Sequence, residues 1–290
     1  MLKSHGVRFL EQGAASSGLA ARFCGVTVVF GVGPVALSAR QAEASIEFER
    51  VLGRVLNLDV RIEQLSSYEE LLDAMARDQV DFAWLPPAVY VESSRRCDLT
   101  LIASGVRQRD AAFRGALFVR SDGPLADLDD LRGARVGWVD PMSAAGYLFP
   151  LLELRQRGFA LEEFSQQRFC GDHRTVAELV ARRELDVGAT FVTAATQRLD
   201  AELSRAGWML AVDFEAMRPL LITPTIPADT ICAAPHVPRP LRDAVSEALT
   251  ELHRQEQGGD VLMNFFWVEQ FEPTLPRRYD SIRVAMDRAI

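Results

Sequence analysis

The chain has 290 residues, 48% of them hydrophobic and 25% charged, with a formal net charge of −8 at pH 7. This composition is that of a globular protein long enough for two domains of roughly 100–150 residues, each with its own core. The acidic balance, with no basic run interleaved with aromatic residues, argues against a nucleic-acid-binding protein.

The amino terminus predicts a tail followed by a buried strand. Residues 1–24 mix polar and small side chains and contain no long apolar core. The run from Val26 to Val32 is rich in β-branched residues and ends at Gly33 and Pro34, which is typical of a first buried strand and its turn. The apolar stretch is too short to span a bilayer and lacks a clear signal-peptide form. We therefore expect no membrane insertion and favour a cytoplasmic location for the chain as given.

Strand-like and helix-like patterns alternate through the first third of the chain. A helix is predicted over 42–56 and a strand over 60–65, and Ser67 with Glu70 forms a capping box that begins the next helix. A strand over 80–85 follows. This order implies parallel strands with right-handed crossovers.

The pattern continues with two strands and then restarts as a second α/β unit. Gly158 is expected to end a helix that begins near residue 144. The remaining predicted elements are strands over 99–106 and 115–120, a short helix and a strand over 124–140, a helix and strand over 176–192, strands over 208–214 and 221–234, a helix over 239–256, and further helices from Asp260 to Ile290.

Two successive α/β units, after which the chain returns to the first unit, predict two lobes, the second inserted into the first. We expect a tail over 1–24, lobe 1 over 25–107 plus 212–290, and lobe 2 over 108–211. The two crossings would form a hinge, and a ligand would bind in the cleft between the lobes.

The cysteines favour neither a metal cluster nor a redox pair. The four of them are about seventy residues apart and include no CxxC pair. Such spacing favours separate reduced thiols, with disulfides between distant cysteines as the open alternative, and we expect no metal and no cofactor. The four are Cys24, Cys97, Cys170 and Cys232.

Four segments resemble one family, in the same order along the chain. They are "VDFAWLPPAVYVE", "GPLADLDDLRGARVGWVDPMSAAGYLFP", "GDHRTVAELVARRELDVGAT" and "IPADTICAAPHVP". They resemble the PhnD-like phosphate, phosphite and phosphonate substrate-binding proteins of ABC importers. The resemblance implies an α/β periplasmic-binding-protein type II fold, with two domains joined by a two-stranded hinge and an interlobe ligand cleft. It also implies a monomer without catalytic residues that passes a small anionic ligand to an ABC permease.

The segment around Ser143 is the main candidate for anion binding. A helix is predicted to begin at or just after Ser143, so the backbone N–H groups of Ala144, Ala145 and Gly146 would be free to hold an oxyanion. Tyr147 belongs to the same motif. The resemblance implies hydroxyl side chains where Ala144 and Ala145 stand, and this difference predicts a weaker or altered anion site.

Further candidate contacts come from four other segments. The resemblance implies a ligand-contacting histidine at His173, and Thr190 ends the "VGAT" strand nearby. Tyr68 and Tyr90 match positions of aromatic or hydroxyl contacts, and Asp229 matches a position that can meet an amine. The resemblance implies an acid shortly after the strand of Thr190 in binders of amino-phosphonates, but Val192, Thr193 and Ala194 stand there, so we expect no preference for amino-phosphonates.

Two other classes of function remain open at this stage. One is a cytosolic ligand sensor that signals to a partner through lobe closure. The other, which we consider the weaker alternative, is an enzyme on the same fold, of the menaquinone-biosynthesis type. No nucleophile with a base, no metal-ligand spacing and no phosphate-cradling glycine loop supports an enzyme.

Overall fold

The computed structural model describes residues 25–33, 39–107 and 112–289. The predicted tail over 1–24 and the turn residue Pro34 lie outside the described residues. The helices are α1 Ala39–Leu56, α2 Tyr68–Ala76, α3 Pro87–Arg96, α4 Phe149–Gln156, α5 His173–Ala181, α6 Arg239–Glu251, α7 Gly258–Val261 and α8 Asp280–Ala289.

Twelve strands are present in the described part of the chain. They are β1 Thr27–Val32, β2 Asp59–Gln64, β3 Phe82–Leu85, β4 Thr100–Val106, β5 Ala112–Arg120, β6 Arg135–Trp138, β7 Gln166–Phe169, β8 Val187–Ala194, β9 Leu203–Ala206, β10 Met217–Thr225, β11 Thr230–Ala233 and β12 Gln270–Glu272. Short π-helical turns cover Ala144–Leu148 and Leu262–Phe266.

The described chain forms two compact units. Unit 1 contains residues 25–85, 89–107 and 228–276, and unit 2 contains the rest. Residues 212–227 and 277–290 were predicted to belong to lobe 1. Their contacts are with unit 2, because β10 pairs with β5 along its length and α8 packs against α4.

Unit 1 is built on a six-stranded sheet in the order β12-β4-β11-β3-β1-β2. The predicted parallel pairing is confirmed, since β1 pairs in parallel with both β2 and β3. Alternate residues of β1 point into an aromatic core, where the ring of Phe30 stacks on Phe82 at 5.1 Å and meets the edge of Phe48 at 5.4 Å. The α1 helix supplies Phe48 to this core.

Unit 2 is built on a second sheet in the order β10-β5-β8-β6-β7, with β9 paired to β8. The strands β6, β7 and β8 are parallel, so their carboxyl ends share one edge of the sheet. The π-helical turn and α4 follow β6, and α5 follows β7. Ligand sites in open α/β sheets form at the carboxyl ends of the strands, so this edge is where a site is expected.

The structure departs from the predicted elements in the second half. The strand predicted over 208–214 is wrong: the segment forms short 3₁₀ turns at Gly207–Leu210 and Phe214–Ala216. Trp208 is fully buried while Met209 is exposed, and the segment closes on itself, with the indole nitrogen of Trp208 donating to the carbonyl of Phe214 at 3.1 Å. The helical prediction for the tail missed the short strand β12.

None of the helices in the described residues combines the length and apolar content needed to cross a membrane.

Candidate functional site

A closed turn follows β6 in unit 2. The amide of Ser143 donates to the carbonyl of Asp140 at 2.9 Å, and the amide of Met142 donates to the Asp140 carboxylate at 2.7 Å. The amide of Val139 donates to the carbonyl of Gly146 at 3.1 Å. The turn is thus held by its own backbone and by the side chain of Asp140 before the helix begins.

Ser143 is the amino-terminal cap of the helix that follows. Its hydroxyl oxygen accepts from the amide of Gly146 at 3.0 Å. The sequence predicted that this amide would be free to hold an anion, but it is already hydrogen-bonded within the cap. The first intrahelical bond runs from the amide of Leu148 to the carbonyl of Ser143 at 3.0 Å. The amides of Ala144 and Ala145 precede that bond, as the orphan donors of a helix start do. The hydroxyl proton of Ser143 is a further donor.

Two glycines set the position of this turn. A Cβ atom at position 146 would lie 2.4 Å from Cγ2 of Val139, so only glycine fits there. On β5, a Cβ atom at position 115 would lie 2.8 Å from the carbonyl oxygen of Ala145. The helix start therefore rests directly on the backbone of β5. A glycine inside a strand is a known sign of such close approach.

Tyr147 is partly buried and packs against the core of unit 2. Its ring meets those of Trp138 and Phe169 edge-on, at centroid distances of 5.4 and 5.0 Å. The motif placed Tyr147 among the ligand contacts. In the structure its ring lies in this aromatic cluster, and its contact with a ligand stays a prediction.

His173 and Thr190 are brought together beside this turn's strand. His173 is the first residue of α5, and its Nδ1 lies 2.9 Å from the hydroxyl of Thr190 on β8. The imidazole also meets the ring of Phe191 edge-on at 5.0 Å. Burial lowers the pKa of His173 to about 4, against the opposing effect of Asp172. The imidazole is therefore neutral at neutral pH.

Tyr68 and Tyr90 belong to unit 1. The ring of Tyr68 lies directly over Gly33, where a Cβ atom would come within 2.3 Å of Cε1. Gly33 thus allows the first turn of α2 to approach the end of β1. Ser67 caps α2 as predicted, accepting from the amide of Glu70 at 3.0 Å. Tyr90 lies within α3 and is only 3% exposed.

Asp229 has a partner that sequence reasoning missed. Its carboxylate accepts from the guanidinium of Arg107 at 2.5 Å, and both side chains are more than four-fifths buried. Arg107 also donates to the carbonyl of Trp267 at 3.1 Å. The two members of the pair are 122 residues apart, so no local pattern links them.

Arg114 is a second buried arginine that the sequence did not single out. It lies on β5 and donates to the carbonyls of Ala194, Ala195 and Thr223, at 3.0 to 3.1 Å. Burial lowers the pKa of this guanidinium. These three hydrogen bonds connect β5 to the end of β8 and to β10.

Within the described ranges, no three His, Cys, Asp or Glu side chains are grouped so as to hold a metal ion.

The chain is similar to known proteins in both sequence and fold. The family described as ABC transporter, phosphonate, periplasmic substrate-binding protein matches residues 30–279. A phosphate-import protein, PhnD, of Mycolicibacterium smegmatis is 24% identical over 177 residues, which cover 55% of this chain and 55% of the relative. The chain therefore matches only about half the length of that curated relative.

Two solved structures share the fold. PhnD1 of Prochlorococcus marinus in complex with methylphosphonate has a TM-score of 0.75 at 17% identity, covering 91% of this chain and 98% of the other. A binding protein component of an ABC phosphonate transporter from Pseudomonas aeruginosa has a TM-score of 0.74 at 18% identity, covering 91% and 88%. The fold is thus the type II periplasmic-binding-protein fold. By its family match over most of its length, the chain belongs to the phosphonate-type periplasmic substrate-binding proteins of ABC transporters.

Proposed function

We propose that this protein captures a small tetrahedral oxyanion of the phosphate and phosphonate class and delivers it to the permease of an ABC importer. The observation that carries this proposal is the capped helix start at Ser143, with the amides of Ala144 and Ala145 ahead of the first intrahelical bond. Family membership supports it. So do the phosphate-import relative and the methylphosphonate bound to the Prochlorococcus protein.

All the proposed donors of unit 2 are uncharged. They are two backbone amides, the Ser143 hydroxyl and the neutral imidazole of His173. Backbone amides at a helix start bind anions without a counter-charge, because the helix dipole and the fixed N–H directions favour negative charge. The methyl groups of Ala144 and Ala145 add no donor. Each hydroxyl contact so missing lowers anion affinity by roughly 1.5–3 kcal/mol relative to a site that has it.

Tyr68 and Tyr90 are our proposed contacts from unit 1. For Asp229 we favour a structural role, because its carboxylate is already paired with Arg107. An acid so engaged is a poor partner for a ligand ammonium, since breaking a buried pair leaves the other charge unpaired. We therefore propose an amine-free ligand.

The proposed setting is the periplasm, with a monomer that docks on an ABC permease. The family is periplasmic, and this gives no support to the cytoplasmic location that the sequence favoured. No feature of the described residues favours the sensor or the enzyme.

Titration calorimetry against phosphate, phosphite, methylphosphonate and acetate tests the proposal. We expect the tetrahedral anions to bind and acetate not to bind. Ser143→Ala should weaken binding about tenfold or more, because it removes a donor and the cap that positions two others.

The matched control is Ser165→Ala. Ser165 is an exposed residue of unit 2, and its hydroxyl donates to the carbonyl of Ala134 at 3.3 Å, at the opposite end of β6. Its affinity should equal that of the wild type. Failure of every tetrahedral anion to bind would refute the proposed function.

A further inference from the structure

Thr190 is enclosed on two sides. It lies on β8 with no exposed surface, and its hydroxyl oxygen faces Nδ1 of His173 at 2.9 Å. On another side lies the backbone of Gly207, where a Cβ atom would come within 1.9 Å of that oxygen. A hydroxyl so enclosed has no room for a ligand atom. Any effect of Thr190 on a ligand must therefore pass through His173.

The hydrogen-bonding inventory decides which atom donates. A neutral imidazole has one N–H and one acceptor nitrogen, and a threonine hydroxyl has a single proton. In the described part of the structure, Nδ1 of His173 is the sole hydrogen-bond partner of the Thr190 hydroxyl. If Nδ1 carried the proton, the fully buried hydroxyl proton would have no acceptor. Buried donors without acceptors are rare and destabilising. The hydroxyl therefore donates to Nδ1, and the ring proton lies on Nε2.

We propose that Thr190 is a positioning residue that holds the neutral imidazole of His173 in the Nε2–H tautomer, so that Nε2 donates to the bound oxyanion. This inference rests on the proposed function for the identity of the ligand, but the tautomer itself is a property of the free protein. In the described residues Nε2 makes no hydrogen bond, so its proton is available to a ligand.

The surroundings of the ring agree with a neutral donor. The acidic neighbour is Asp172, whose carboxylate accepts from the amide and the hydroxyl of Thr175, at 2.9 and 2.7 Å. The guanidinium of Arg205 lies 5.8 Å from the ring centre of Phe191, which contacts the imidazole. Burial outweighs the effect of Asp172, so the ring needs no proton from solvent to act as a donor.

Nitrogen-15 NMR of the ligand-free protein, labelled at histidine, tests the tautomer directly. The chemical shift separates a protonated from an unprotonated ring nitrogen. The chain has four histidines, and the His173 signals are those lost in His173→Gln. We expect Nε2 to be protonated and Nδ1 unprotonated at pH 7 in the wild type. A protonated Nδ1 in the wild type would overturn the inference, whether or not any anion binds.

Thr190→Ser and Thr190→Ala form a matched pair for the second test. Both lose the methyl group, and they differ only in the hydroxyl. Thr190→Ser should keep the tautomer and bind methylphosphonate within about threefold of the wild type. Thr190→Ala should give mixed tautomers and about tenfold weaker binding, the effect of one misdirected hydrogen bond. Equal tautomers and equal affinities in the two variants would overturn the inference while leaving the proposed function intact.

Discussion

At the scale of single residues, folding changes the acid–base behaviour of His173. It occupies the first position of α5, beside Phe191 and the hydroxyl of Thr190. Burial lowers its pKa from 6.5 to about 4. The folded protein therefore holds the imidazole neutral over a pH range in which the unfolded chain takes up a proton.

This difference predicts a pH dependence of stability. A histidine whose pKa is lowered by folding contributes fully above pH 6.5, and the contribution is lost as the pH falls towards 4. Between about pH 7 and 4 the wild type should lose up to about 3 kcal/mol more unfolding free energy than His173→Gln. Denaturant unfolding at several pH values measures both proteins. If the unfolding free energies of the two proteins changed equally with pH, His173 would not be held neutral by the fold.

The residue scale also shows what a motif leaves open. The pattern at Ser143 predicted a helix start correctly, because a cap residue before an apolar run is a local signal. It did not reveal that the cap would engage Gly146, or that Gly115 on a separate strand would set the depth of the turn. Both facts depend on packing between segments that the sequence does not place together.

At the scale of elements, the pair of Arg107 and Asp229 links the end of β4 to the start of β11. The backbone adds to this link, since the amide of Gly105 donates to the carbonyl of Asp229 at 3.1 Å. Because both side chains are mostly buried, removing one partner leaves the other without compensation.

A double-mutant cycle of Arg107→Met and Asp229→Asn should give a coupling energy of about 1–3 kcal/mol in unfolding. Arg61 and Asp59 form the control pair, at 3.3 Å and with side chains more than half exposed, whose coupling should stay below about 1 kcal/mol. Asp229→Asn should leave methylphosphonate affinity unchanged within about twofold. A large loss of affinity in that folded variant would place Asp229 at the ligand instead.

The elements themselves were predictable where their periodicity was long. The strand before Gly33 and the helix ended by Gly158 follow from local patterns, and Gly158 indeed adopts a positive φ of 76°. The segment at Trp208 was wrongly predicted to be a strand, because it forms a 3₁₀ turn that buries Trp208 in the core and leaves Met209 exposed. An apolar run of that length fits a strand and a buried turn equally well.

At the scale of the whole molecule, the chain carries a net charge of −8 yet is proposed to bind anions. Long-range attraction therefore does not favour the ligand, and the local amides and hydroxyls must supply the affinity. The division into two units, with β10 and α8 in unit 2, could not be read from element order, since it depends on which sheet each segment joins.

Ligand binding should appear as a gain in stability of the entire chain. A ligand that binds only the folded state at a hundredfold excess over its Kd stabilises it by about 2.7 kcal/mol. For a protein of this size we expect Tm to rise by roughly 5 °C or more with methylphosphonate. Scanning calorimetry at increasing ligand measures the shift, and Ser143→Ala should require a higher concentration to reach it. An identical shift in Ser143→Ala would remove that residue from the site.

The contact between Thr190 and Gly207 ties two positions of the sequence to one another. A hydroxyl can occupy position 190 only while position 207 carries no side chain, because the two would compete for the same space. In homologous sequences, a residue with a Cβ atom at position 207 should therefore occur only together with a smaller residue at position 190. The orientation of His173 thus depends on Gly207, a residue distant from it in the sequence, because Gly207 leaves room for the Thr190 hydroxyl.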